Sequence, residues 1–461
     1  MDAGLRAVSV KANLRMHVDP TIFKAYDIRG IYPDQLDEDT GRAVGRAFAS
    51  FLQPEQVVVG RDMRLSSPTV CAALIEGLRQ QQADVIELGM VSTDQYYYAC
   101  ATLGRPGIMV TASHNPAQYC GFKMVRHMPY LLSGDEGIQD LRRLIETEEY
   151  QPARGTGKIE ARDVSDGFVD KVLSSVDTSH LRPLKVVADT GNGMVGPILK
   201  RVFDRLPVDL VGMYLDPDGS LPNHGLDPMK EENRAELQRR VVSEGADVGF
   251  AFDGDGDRFF AIDDRGRFVP GDFLTALMAR YLIDGEPGAT IVHDVRCSWA
   301  VRDLVAAAGG RALQERVGHS FLKPRLFTEK GIFAGELSGH YYFRDFFGAD
   351  SGLVPSLILM QMMSDRRQTM SELLSPLESR YFLSGEINSR VDDPAAKIEE
   401  IAGRYGDGRI ERIDGISVSF AEWHFNVRAS NTEPLLRLNL EAMSQQRMEQ
   451  QRDEVLAVIL S

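Results

Sequence analysis

One segment of the sequence places three carboxylates at alternate positions. Asp253–Arg258 (DGDGDR) runs between two apolar stretches, Val248–Phe252 and Phe259–Ile262, that are typical of strands. The intervening glycines let the three side chains turn toward one point, where a hard divalent cation relieves their mutual repulsion. Because only three side-chain ligands are present, such a cation keeps open positions, as Mg²⁺ does when it also binds phosphate. The segment therefore predicts a magnesium site.

The segment also allows two other interpretations. An EF-hand would use Asp264 as its twelfth position, but Arg258 stands where that loop requires glycine, and the flanks look like strands rather than helices. A solvated acidic turn without a metal stays open at this point. Arg258, directly after the last carboxylate, suits a phosphate group or a phosphorylated side chain.

A serine and a histidine follow a second apolar strand. Thr111–Pro116 (TASHNP) comes directly after Gly107–Val110. Adjacent residues do not form a catalytic triad, and no nucleophile-elbow glycines surround Ser113, so a helix cap or turn remains an alternative. Beside a three-carboxylate loop, however, Ser113 is a candidate phosphoryl acceptor, because Mg²⁺ would stabilise the charge that develops during transfer.

Two further loops carry groups that suit a phosphorylated sugar. Gly335–His340 (GELSGH) combines a carboxylate, a hydroxyl and an imidazole, which can bind vicinal sugar hydroxyls, although a structural turn explains it equally well alone. Arg428–Pro434 (RASNTEP) offers a guanidinium, hydroxyls and backbone N–H groups, and so predicts a phosphate clamp without a Walker-type motif.

The elements that must position these loops occur in a threefold pattern. Strands ending in a polar turn are predicted at Val57–Asp62, Val186–Asp189 and Ile291–Asp294, and a helix and a second strand follow each. For the first of them, Ser67 is the expected N-cap, with Pro68 at the first helical position. The second strands are predicted at Asp84–Leu88, Val208–Tyr214 and Arg311–Glu315. Each repeat ends in one of three polar loops, which we call the chemical loops: Thr111–Pro116, Asp253–Arg258 and Gly335–His340. Because each follows a strand, we expect the three loops to converge at the carboxyl ends of the strands.

After about Ser379 the pattern changes to short alternating strands with an Asp414-Gly415 turn, which indicates an antiparallel sheet. The predicted class is α/β, with three topologically related α/β domains of mixed sheets and a C-terminal α+β domain around a central cleft. The predicted boundaries are an N-terminal extension at 1–19 and domains at 20–164, 165–267, 268–378 and 379–461.

In this order, TASHNP, DGDGDR, GELSGH and RASNTEP resemble the motifs of the α-D-phosphohexomutase superfamily, and most closely its bacterial phosphomannomutase/phosphoglucomutase branch. The resemblance covers about residues 20 to 461. Supporting matches are AYDIRG at Ala25–Gly30, GRDMR at Gly60–Arg64, GFK at Gly121–Lys123 and GHS at Gly318–Ser320.

The resemblance implies an intramolecular phosphotransferase, an isomerase that interconverts mannose or glucose 1-phosphate and 6-phosphate. Ser113 would be carried as phosphoserine and pass its phosphate to the sugar, giving a 1,6-bisphosphate that returns its other phosphate. The resemblance implies Mg²⁺ as the cofactor and glucose 1,6-bisphosphate as an activator.

The resemblance also assigns roles residue by residue. The metal ligands would be Asp253, Asp255 and Asp257 with the Ser113 phosphate, while Lys123 and His319 would be general acid/base candidates, and Arg258 and His114 would join them at the reacting centre. The implied substrate-binding residues are Glu336 and Ser338 for the sugar hydroxyls, Arg428, Ser430, Asn431 and Thr432 for the distal phosphate, and Tyr26, Arg29 and His340 along the cleft.

Three alternatives and one departure from the family pattern remain. A phosphoglucosamine mutase is the runner-up, but amino-sugar mutases tend to carry glutamine where Leu337 stands and glycine before TEP. A non-catalytic sensor of bisphosphorylated sugars and a plain phosphatase are the others. Arg296 stands where relatives often have lysine, and the two side chains are not geometrically interchangeable.

Composition narrows the class of protein and its partners. The formal charge of −15 argues against broad binding to nucleic acid or an anionic membrane, while the family resemblance implies small-molecule phosphosugars as the partners. The four cysteines have no metal or redox spacing, and no signal peptide or membrane-length apolar stretch is apparent. We therefore expect a cytoplasmic protein, as a monomer or small homo-oligomer.

Overall fold

The computed structural model describes residues 18–134, 136–153, 155–430 and 435–461. Among these residues, no helix has both the length and the apolar character to cross a membrane. The elements of the first domain are β1 (Ile28–Ile31), α1 (Glu38–Leu52), β2 (Gln56–Arg61), α2 (Ser67–Gln80), β3 (Asp84–Met90), α3 (Thr93–Leu103), β4 (Gly107–Val110), β5 (Tyr119–His127), β6 (Tyr130–Leu131), α4 (Ile138–Thr147) and β7 (Ile159–Ala161). Its strands form one sheet in the order β1-β5-β4-β2-β3-β7, with β6 paired to β5.

The second domain has a smaller sheet with the order β11-β10-β8-β9. Its elements are α5 (Ser165–Leu173), β8 (Leu184–Asp189), α6 (Gly196–Phe203), β9 (Val208–Met213), α7 (Glu231–Glu244), β10 (Val248–Phe252) and β11 (Phe259–Ile262).

The third domain has a five-stranded sheet with the order β13-β12-β14-β15-β16. Its elements are α8 (Gly271–Gly285), β12 (Thr290–Asp294), α9 (Trp299–Ala307), β13 (Arg311–Glu315), α10 (His319–Thr328), β14 (Phe333–Gly335), β15 (Tyr341–Phe343), β16 (Ala349–Asp350), α11 (Leu353–Arg366) and α12 (Met370–Glu378).

The three sheets share one core arrangement, which confirms the threefold pattern. In each, a central strand (β2, β8 or β12) pairs in parallel with the second strand of its repeat on one side and with the loop-bearing strand (β4, β10 or β14) on the other. An antiparallel strand then pairs with the loop-bearing strand, so the sheets are mixed as expected. The three chemical loops therefore occupy equivalent positions, between β4 and β5, β10 and β11, and β14 and β15.

The C-terminal domain is the predicted α+β unit. Its elements are β17 (Phe382–Arg390), α13 (Pro394–Arg404), β18 (Arg409–Glu411), β19 (Ile416–Ser419), β20 (Trp423–Ala429), β21 (Leu435–Ala442) and α14 (Gln445–Leu460). The strands form an antiparallel sheet in the order β17-β21-β20-β19-β18. Alternate residues of β20, such as Phe425 and Val427, pack into a core of their own that also includes residues of α13 and α14.

Apolar packing distinguishes this domain from the rest of the chain. One large core contains residues of the first three domains, from Tyr96 of α3 through Phe250 of β10 to Leu357 of α11. The C-terminal core is separate from it. The fourth domain therefore has its own core and contributes only side chains at its edge, such as Leu383 and Met443, to the large one.

One local prediction was wrong. Ser67 was expected to be the N-cap of the second helix, but α2 already includes Ser67, and Ser66 is its N-cap without a side-chain cap bond. The Ser67 hydroxyl instead donates a hydrogen bond to Oδ1 of Asp62. A buried carboxylate needs hydrogen bonds from protein donors, whereas the free N–H groups at the start of a helix can be satisfied in other ways. The Ser67 hydroxyl therefore donates to Asp62 rather than accepting from the helix.

Candidate functional site

Ser113 lies in the loop between β4 and β5 and faces the second domain. Its Oγ donates a hydrogen bond to Oδ2 of Asp253 at 2.9 Å and lies 3.2 Å from Nδ1 of His114. The residue is buried and has a φ of 50°, a left-handed conformation that costs a non-glycine residue of order 1 kcal/mol. Such strain is typical of functional loops, and here it turns the hydroxyl toward the carboxylates.

A buried arginine holds this strained loop in place. Arg64 donates hydrogen bonds to the carbonyl oxygens of Ser113, Asn115, Pro116 and Tyr119, at 2.8, 2.6, 2.7 and 3.2 Å. Its Nε also pairs with Asp62 at 3.1 Å, and both side chains are almost fully buried. One guanidinium therefore satisfies most of the polar backbone of the loop, which is a use that the five-donor fork of arginine allows and lysine does not.

The three aspartates of the second loop converge as predicted. One oxygen from each of Asp253, Asp255 and Asp257 lies within 4.8 Å of the others, and all three side chains are buried. Gly256 has a φ of 82°, and a Cβ built on Gly254 would lie 2.8 Å from the carbonyl oxygen of Ser113. The glycines therefore serve both the turn itself and the close approach of the two loops.

The donor set fits a divalent cation. Oδ1 of Asp255 and Oδ1 of Asp257 are buried and accept no hydrogen bond from any described residue. Nζ of Lys123 lies 2.8 Å from Oδ2 of Asp255 and also contacts Asp257, so a protein cation already balances part of this charge. Carboxylate oxygens are the ligands that Mg²⁺ prefers, and the free oxygens identify where such an ion would be held.

Charges within the loop set unequal proton affinities. Burial, together with repulsion from Asp255 and Asp257, raises the pKa of Asp253 well above its usual range. Burial alone would also raise the pKa of Asp257, but Lys123 outweighs it and holds that pKa well below its usual range. Burial disfavours the charged form of Lys123, yet the three carboxylates raise its pKa overall. Lys123 is therefore an ammonium in the protein without metal.

Two threonines that the sequence did not single out complete this part of the site. Thr93, the first residue of α3, donates its hydroxyl to Oδ2 of Asp255 at 2.6 Å, and Thr111 donates to the same oxygen at 3.3 Å. The backbone N–H of Thr93 also donates to the carbonyl oxygen of Asp255. The N-terminus of α3 thus fixes the middle carboxylate of the loop.

Asp94 is a second buried carboxyl group at the start of α3. It accepts hydrogen bonds from the Ser92 hydroxyl, from the Gln95 N–H at 2.9 Å and from the Ser351 hydroxyl at 2.7 Å. Burial raises its pKa to about 7, against the lowering effect of these hydrogen bonds. Through Ser351, Asp94 joins the first domain to the third, close to the loop of the three aspartates.

This raised pKa predicts a pH-dependent effect of Asp94→Asn on stability. A folded-state pKa above the unfolded value contributes stability that is present at low pH and is lost as the pH rises from 3.8 through about 7. Asparagine can keep the two hydrogen bonds that Oδ1 accepts from Ser92 and Gln95, can donate to the Ser351 hydroxyl oxygen in place of the third, and carries no charge. We expect its stability advantage over the wild type to grow by about 2 kcal/mol between about pH 5 and about pH 8, measured by urea unfolding. An advantage that stays constant with pH would contradict the assignment.

The sugar-binding candidates lie in the third loop and are already ordered by the protein. The Tyr342 hydroxyl donates to Oε1 of Glu336, and the Gly318 N–H donates to Oε2 at 3.2 Å. The Ser338 hydroxyl lies 3.4 Å from Glu336 and 3.1 Å from Nδ1 of His340. Glu336, Ser338 and His340 therefore form one hydrogen-bonded group.

His340 and Arg258 connect the Gly335–His340 loop to the loop of the three aspartates. Nε of Arg258 donates to Nε2 of His340 at 3.3 Å and lies 3.8 Å from Asp253, while His340 lies 3.5 Å from Asp257. An isolated antiparallel bridge also pairs the backbones of Arg258 and His340. The two loops are thus held side by side across the boundary between the second and third domains.

His319 begins α10 and lies in a cationic environment. Burial and the charge of Lys323, one helical turn later, lower its pKa well below the usual value, and so the imidazole is neutral. Its ring lies 5.7 Å from that of Tyr26, whose hydroxyl donates to the carbonyl oxygen of Val317. Lys323 is fully buried and pairs with Asp350 at 2.7 Å, a pair that the sequence did not reveal.

The remaining cationic and imidazole candidates lie around Ser113. Nη1 of Arg29 donates to Oδ1 of Asn115 at 2.7 Å, and Arg29 also pairs with Asp27. Burial, with the nearby charges of Arg258 and Arg29, lowers the pKa of His114 well below its usual value. His114 can therefore accept a hydrogen bond but carries no charge of its own.

The phosphate-clamp candidates lie at the edge of the C-terminal domain. Nη2 of Arg428 pairs with Oε2 of Glu386 at 3.1 Å, and its Nε is buried without a hydrogen-bond partner among the described residues. The Ser430 hydroxyl accepts from Arg437 at 3.4 Å. Asn431 and Thr432 lie outside the described residues, as do residues 1–17 of the predicted N-terminal extension.

The site is therefore a continuous path of side chains through all four domains. Starting at Ser113, successive contacts run through Asp253, Arg258, His340, Ser338, Glu336, Arg296 and Glu386 to Arg428. A hydroxyl beside three carboxylates that could hold a cation lies at one end, and at the other lies a guanidinium whose Nε has no partner among the described residues. This arrangement suits transfer of a phosphoryl group to a ligand that is itself an anion.

Comparison with known proteins gives matches along nearly the whole chain. Four domain models of phosphoglucomutase/phosphomannomutase match in order: the alpha/beta/alpha domains I, II and III at residues 20–152, 166–266 and 270–381, and the C-terminal domain at residues 386–458.

Individual relatives agree with these matches. A phosphomannomutase of Salmonella typhimurium is 40% identical over 451 residues, covering 96% of this chain and 99% of that protein. The crystal structure of a phosphoglucomutase/phosphomannomutase family protein from Burkholderia thailandensis is 35% identical, with a TM-score of 0.89 over 96% of this chain and 98% of that one. The fold also resembles that of an Aspergillus fumigatus N-acetylphosphoglucosamine mutase in complex with glucose 1,6-bisphosphate, at 15% identity and a TM-score of 0.59, covering 97% and 96% of the two chains.

Proposed function

The chain belongs to the phosphoglucomutase/phosphomannomutase family and is a phosphohexomutase, and we propose that Ser113 is the residue through which it passes the phosphoryl group. It is an isomerase that interconverts hexose 1-phosphates and hexose 6-phosphates. The observation that carries the assignment of Ser113 is its hydroxyl, 2.9 Å from Asp253 within the three-carboxylate loop.

The reaction divides into two transfers. In the first, the sugar hydroxyl attacks the phosphorus of phosphoserine 113 and its proton passes to a base, while the bond to the serine oxygen breaks and that oxygen takes up a proton. The sugar is then a 1,6-bisphosphate and the serine is a free hydroxyl. In the second transfer, after the intermediate has turned over in the cleft, the serine oxygen attacks the other phosphate and gives up its proton, and the leaving sugar oxygen takes a proton. Each covalent step conserves the number of phosphoryl groups.

Asp253, Asp255 and Asp257 would hold Mg²⁺ together with an oxygen of phosphoserine 113. When bound, Mg²⁺ supplies Lewis-acid stabilisation of the charge that develops on the transferred phosphoryl group. The protein itself places Arg258 beside Asp253 and Lys123 beside Asp255, so positive charge lies next to the transfer site before substrate arrives. Glucose 1,6-bisphosphate would act as the activator by phosphorylating Ser113 that has lost its phosphate.

His319 is the proposed base for the sugar hydroxyl. Its lowered pKa keeps the imidazole neutral, so it is able to accept a proton, whereas Lys123 is held as an ammonium and suits the donating role. Glu336 and Ser338 would bind the vicinal hydroxyls of the ring, since both are rigidly placed by Tyr342, Gly318 and His340. Tyr26, Arg29 and His114 would line the cleft around the reacting phosphate.

Arg428 grips the phosphate that is not being transferred, with Ser430 and the adjoining Asn431 and Thr432. Because this contact forms in the ground state as well as the transition state, Arg428→Gln should raise KM about 10- to 100-fold and change kcat little. Steady-state conversion of mannose 1-phosphate and glucose 1-phosphate to their 6-phosphates measures this. Arg412→Gln, at an exposed arginine of the same domain whose ionic partner among the described residues is Glu399, is the matched control.

The same assay tests the activity itself. Turnover of both 1-phosphates supports the proposed substrate class, and turnover confined to glucosamine 1-phosphate would contradict it. A kcat loss without a KM change in Arg428→Gln would move Arg428 from the distal phosphate to the reacting one.

A further inference from the structure

Glu386 contacts three guanidinium groups from two domains. Its Oε1 accepts from Nη1 of Arg437 at 3.1 Å, and its Oε2 accepts from Nη2 of Arg428 at 3.1 Å. Oε2 also lies 3.6 Å from Nη1 of Arg296 in the third domain. The carboxylate is 15% exposed and lies just after an irregularity in β17 at Gly385, whose φ is 69°. No motif in the sequence pointed to Glu386.

The arginine on the far side of Glu386 is tied to the sugar-binding loop. Arg296 makes two hydrogen bonds to Asp294, at 3.1 and 2.8 Å, and lies 3.6 Å from Oε2 of Glu336. Asp294 in turn accepts from the backbone N–H of Leu337 at 3.0 Å. Arginine can make this set of contacts because its planar fork reaches several carboxylates at once, whereas a lysine ammonium cannot.

The charges explain why one carboxylate is needed here. Arg428 and Arg437 are direct cross-strand neighbours on β20 and β21, and Arg296 faces them across the domain boundary. Burial and repulsion from Arg296 lower the pKa of Arg428. Burial alone would raise the pKa of Glu386, but the three arginines together outweigh it, so this pKa is lowered. Without the carboxylate, like charges would face each other at short distance across the boundary, which is unfavourable.

Other contacts across this boundary are both apolar and polar. The ring of Trp299 stacks on that of His424 with their centroids 4.4 Å apart, and Leu383 and Met443 pack against the large core. The Val317 N–H donates to Asp414 at 3.1 Å, and the Trp299 N–H donates to Glu441 at 3.2 Å. The apolar core of the C-terminal domain is separate from the large core of the other three. The ionic contacts of Glu386 add to these interactions, so we expect the position of this domain to respond to the charge balance around Glu386.

We propose that Glu386 is a positioning residue that holds Arg428 and Arg437 of the C-terminal domain against Arg296 of the third domain, and so assembles the phosphate end of the cleft before the sugar phosphate binds. The inference rests on the proposed function in one respect, which is that Arg428 binds the distal phosphate. It adds a role for Arg296: this arginine links the sugar-binding loop to the phosphate clamp through Glu386.

Glu386→Gln removes the charge and keeps the shape. In the ligand-free variant the C-terminal domain should move away from the third domain, which increases the radius of gyration measured by small-angle X-ray scattering. A sugar phosphate supplies a replacement anion, so saturating glucose 1-phosphate should restore the wild-type value. KM should rise about tenfold, within the usual range of coupling between two sites, while kcat changes less than about twofold.

Three comparisons separate positioning from general structural damage. Glu399→Gln, which removes an exposed glutamate paired with Arg412 in the same domain, should leave the radius of gyration and KM unchanged. Glu386→Asp keeps the charge and should raise KM less than Glu386→Gln does. In Arg296→Gln, where the facing charge is already gone, adding Glu386→Gln should raise KM less than it does in the wild type.

Each outcome bears on the proposal. A KM for Glu386→Gln equal to or below the wild-type value would overturn it, since the carboxylate would then only compete with the phosphate. An unchanged ligand-free radius of gyration would also overturn it. If Arg428→Gln does not alter KM but Glu386→Gln still opens the protein, the assignment of the phosphate clamp fails while the positioning role stands. If the glutamine variant does not fold, Arg296→Gln provides the scattering test: it removes the third-domain partner of Glu386, so the ligand-free radius of gyration should again increase, and an unchanged value would overturn the proposal.

Discussion

Ser113→Ala is expected to lower mutase activity by at least about 10⁴-fold, which corresponds to about 5.5 kcal/mol of lost transition-state stabilisation. The alanine variant has no oxygen that can carry the phosphoryl group between the two half-reactions, so no partial pathway through the enzyme replaces it. The fold should survive, because Arg64 binds the carbonyl oxygen of residue 113 rather than its side chain. Sugar-phosphate binding, measured by calorimetry, should be retained within a few-fold.

Two controls make this result specific. Ser364→Ala removes a buried serine hydroxyl in α11 that donates to the carbonyl oxygen of Met360 and accepts from the Arg182 N–H, away from the proposed site, and it should retain full activity. Intact-mass measurement of the purified wild type should find a fraction one phosphate heavier, and the alanine variant should lack it. Persistence of the heavier species in Ser113→Ala would show that another residue carries the phosphate.

Asp253→Asn has the second largest expected effect, and its two consequences have opposite signs. Activity should fall about 10³-fold, since loss of one charged ligand weakens the cation site and removes a negative charge next to Ser113. Asparagine can still accept the backbone hydrogen bonds of Gly256 and Arg258 through Oδ1 and can donate to the serine oxygen. The local geometry is therefore kept while the charge changes.

The stability of the metal-free protein should increase in the same variant. Burial and two neighbouring carboxylates raise the pKa of Asp253, so this group stabilises the fold only at low pH, and the contribution is lost as the pH rises above 3.8. Removing the charge should raise the free energy of unfolding at neutral pH by about 1 kcal/mol or more. We expect Mg²⁺ to raise the melting temperature of the wild type, and this rise should largely disappear in the variant, because stabilisation by a ligand increases with its affinity for the folded state.

Asp204→Asn, at an exposed aspartate of the same domain paired with Lys200, is the control and should behave as the wild type in both measurements. Full activity in Asp253→Asn, or an unchanged response to Mg²⁺, would place the cation elsewhere. The cluster of Asp257, His340 and Asp350 would then be the next position to test.

The architecture could be predicted from the sequence because its signals are local and repeated. Each α/β repeat has a buried strand, a helix and a second strand in order, and the chemical loop follows a strand in all three. The equivalent positions of the loops after β4, β10 and β14 then follow from sheet topology. The change in pattern after Ser379 likewise predicted the antiparallel domain.

The residues that support the site could not be predicted in the same way, because their partners are distant in the chain. Thr93 meets Asp255 across 162 positions, and Ser351 meets Asp94 across 257. The burial of Lys323 with Asp350 and the contact of Glu386 with three arginines likewise depend on packing between domains. A single sequence contains no local signal for such pairs. The motif residues were found because their chemistry is concentrated in short segments.

Some predictions keep that status. The domain boundaries, the roles of individual site residues, the monomeric or small oligomeric state, the cytoplasmic location and the absence of nucleic-acid partners are expectations from the sequence. Asn431 and Thr432 complete the clamp motif that begins at Arg428, and their part in binding phosphate is best measured together with Arg428→Gln.

The most direct test of the phosphoserine mechanism is a single-turnover experiment on the phosphorylated enzyme. Phosphoenzyme is mixed with less than one equivalent of mannose 1-phosphate and quenched at successive times, and phosphate on the peptide containing Ser113 and free sugar bisphosphate are both quantified. We predict that phosphate leaves this peptide as mannose 1,6-bisphosphate forms in equal amount, before mannose 6-phosphate accumulates. Formation of mannose 6-phosphate while the Ser113 peptide keeps its original phosphate, or release of that phosphate to water, would contradict the mechanism.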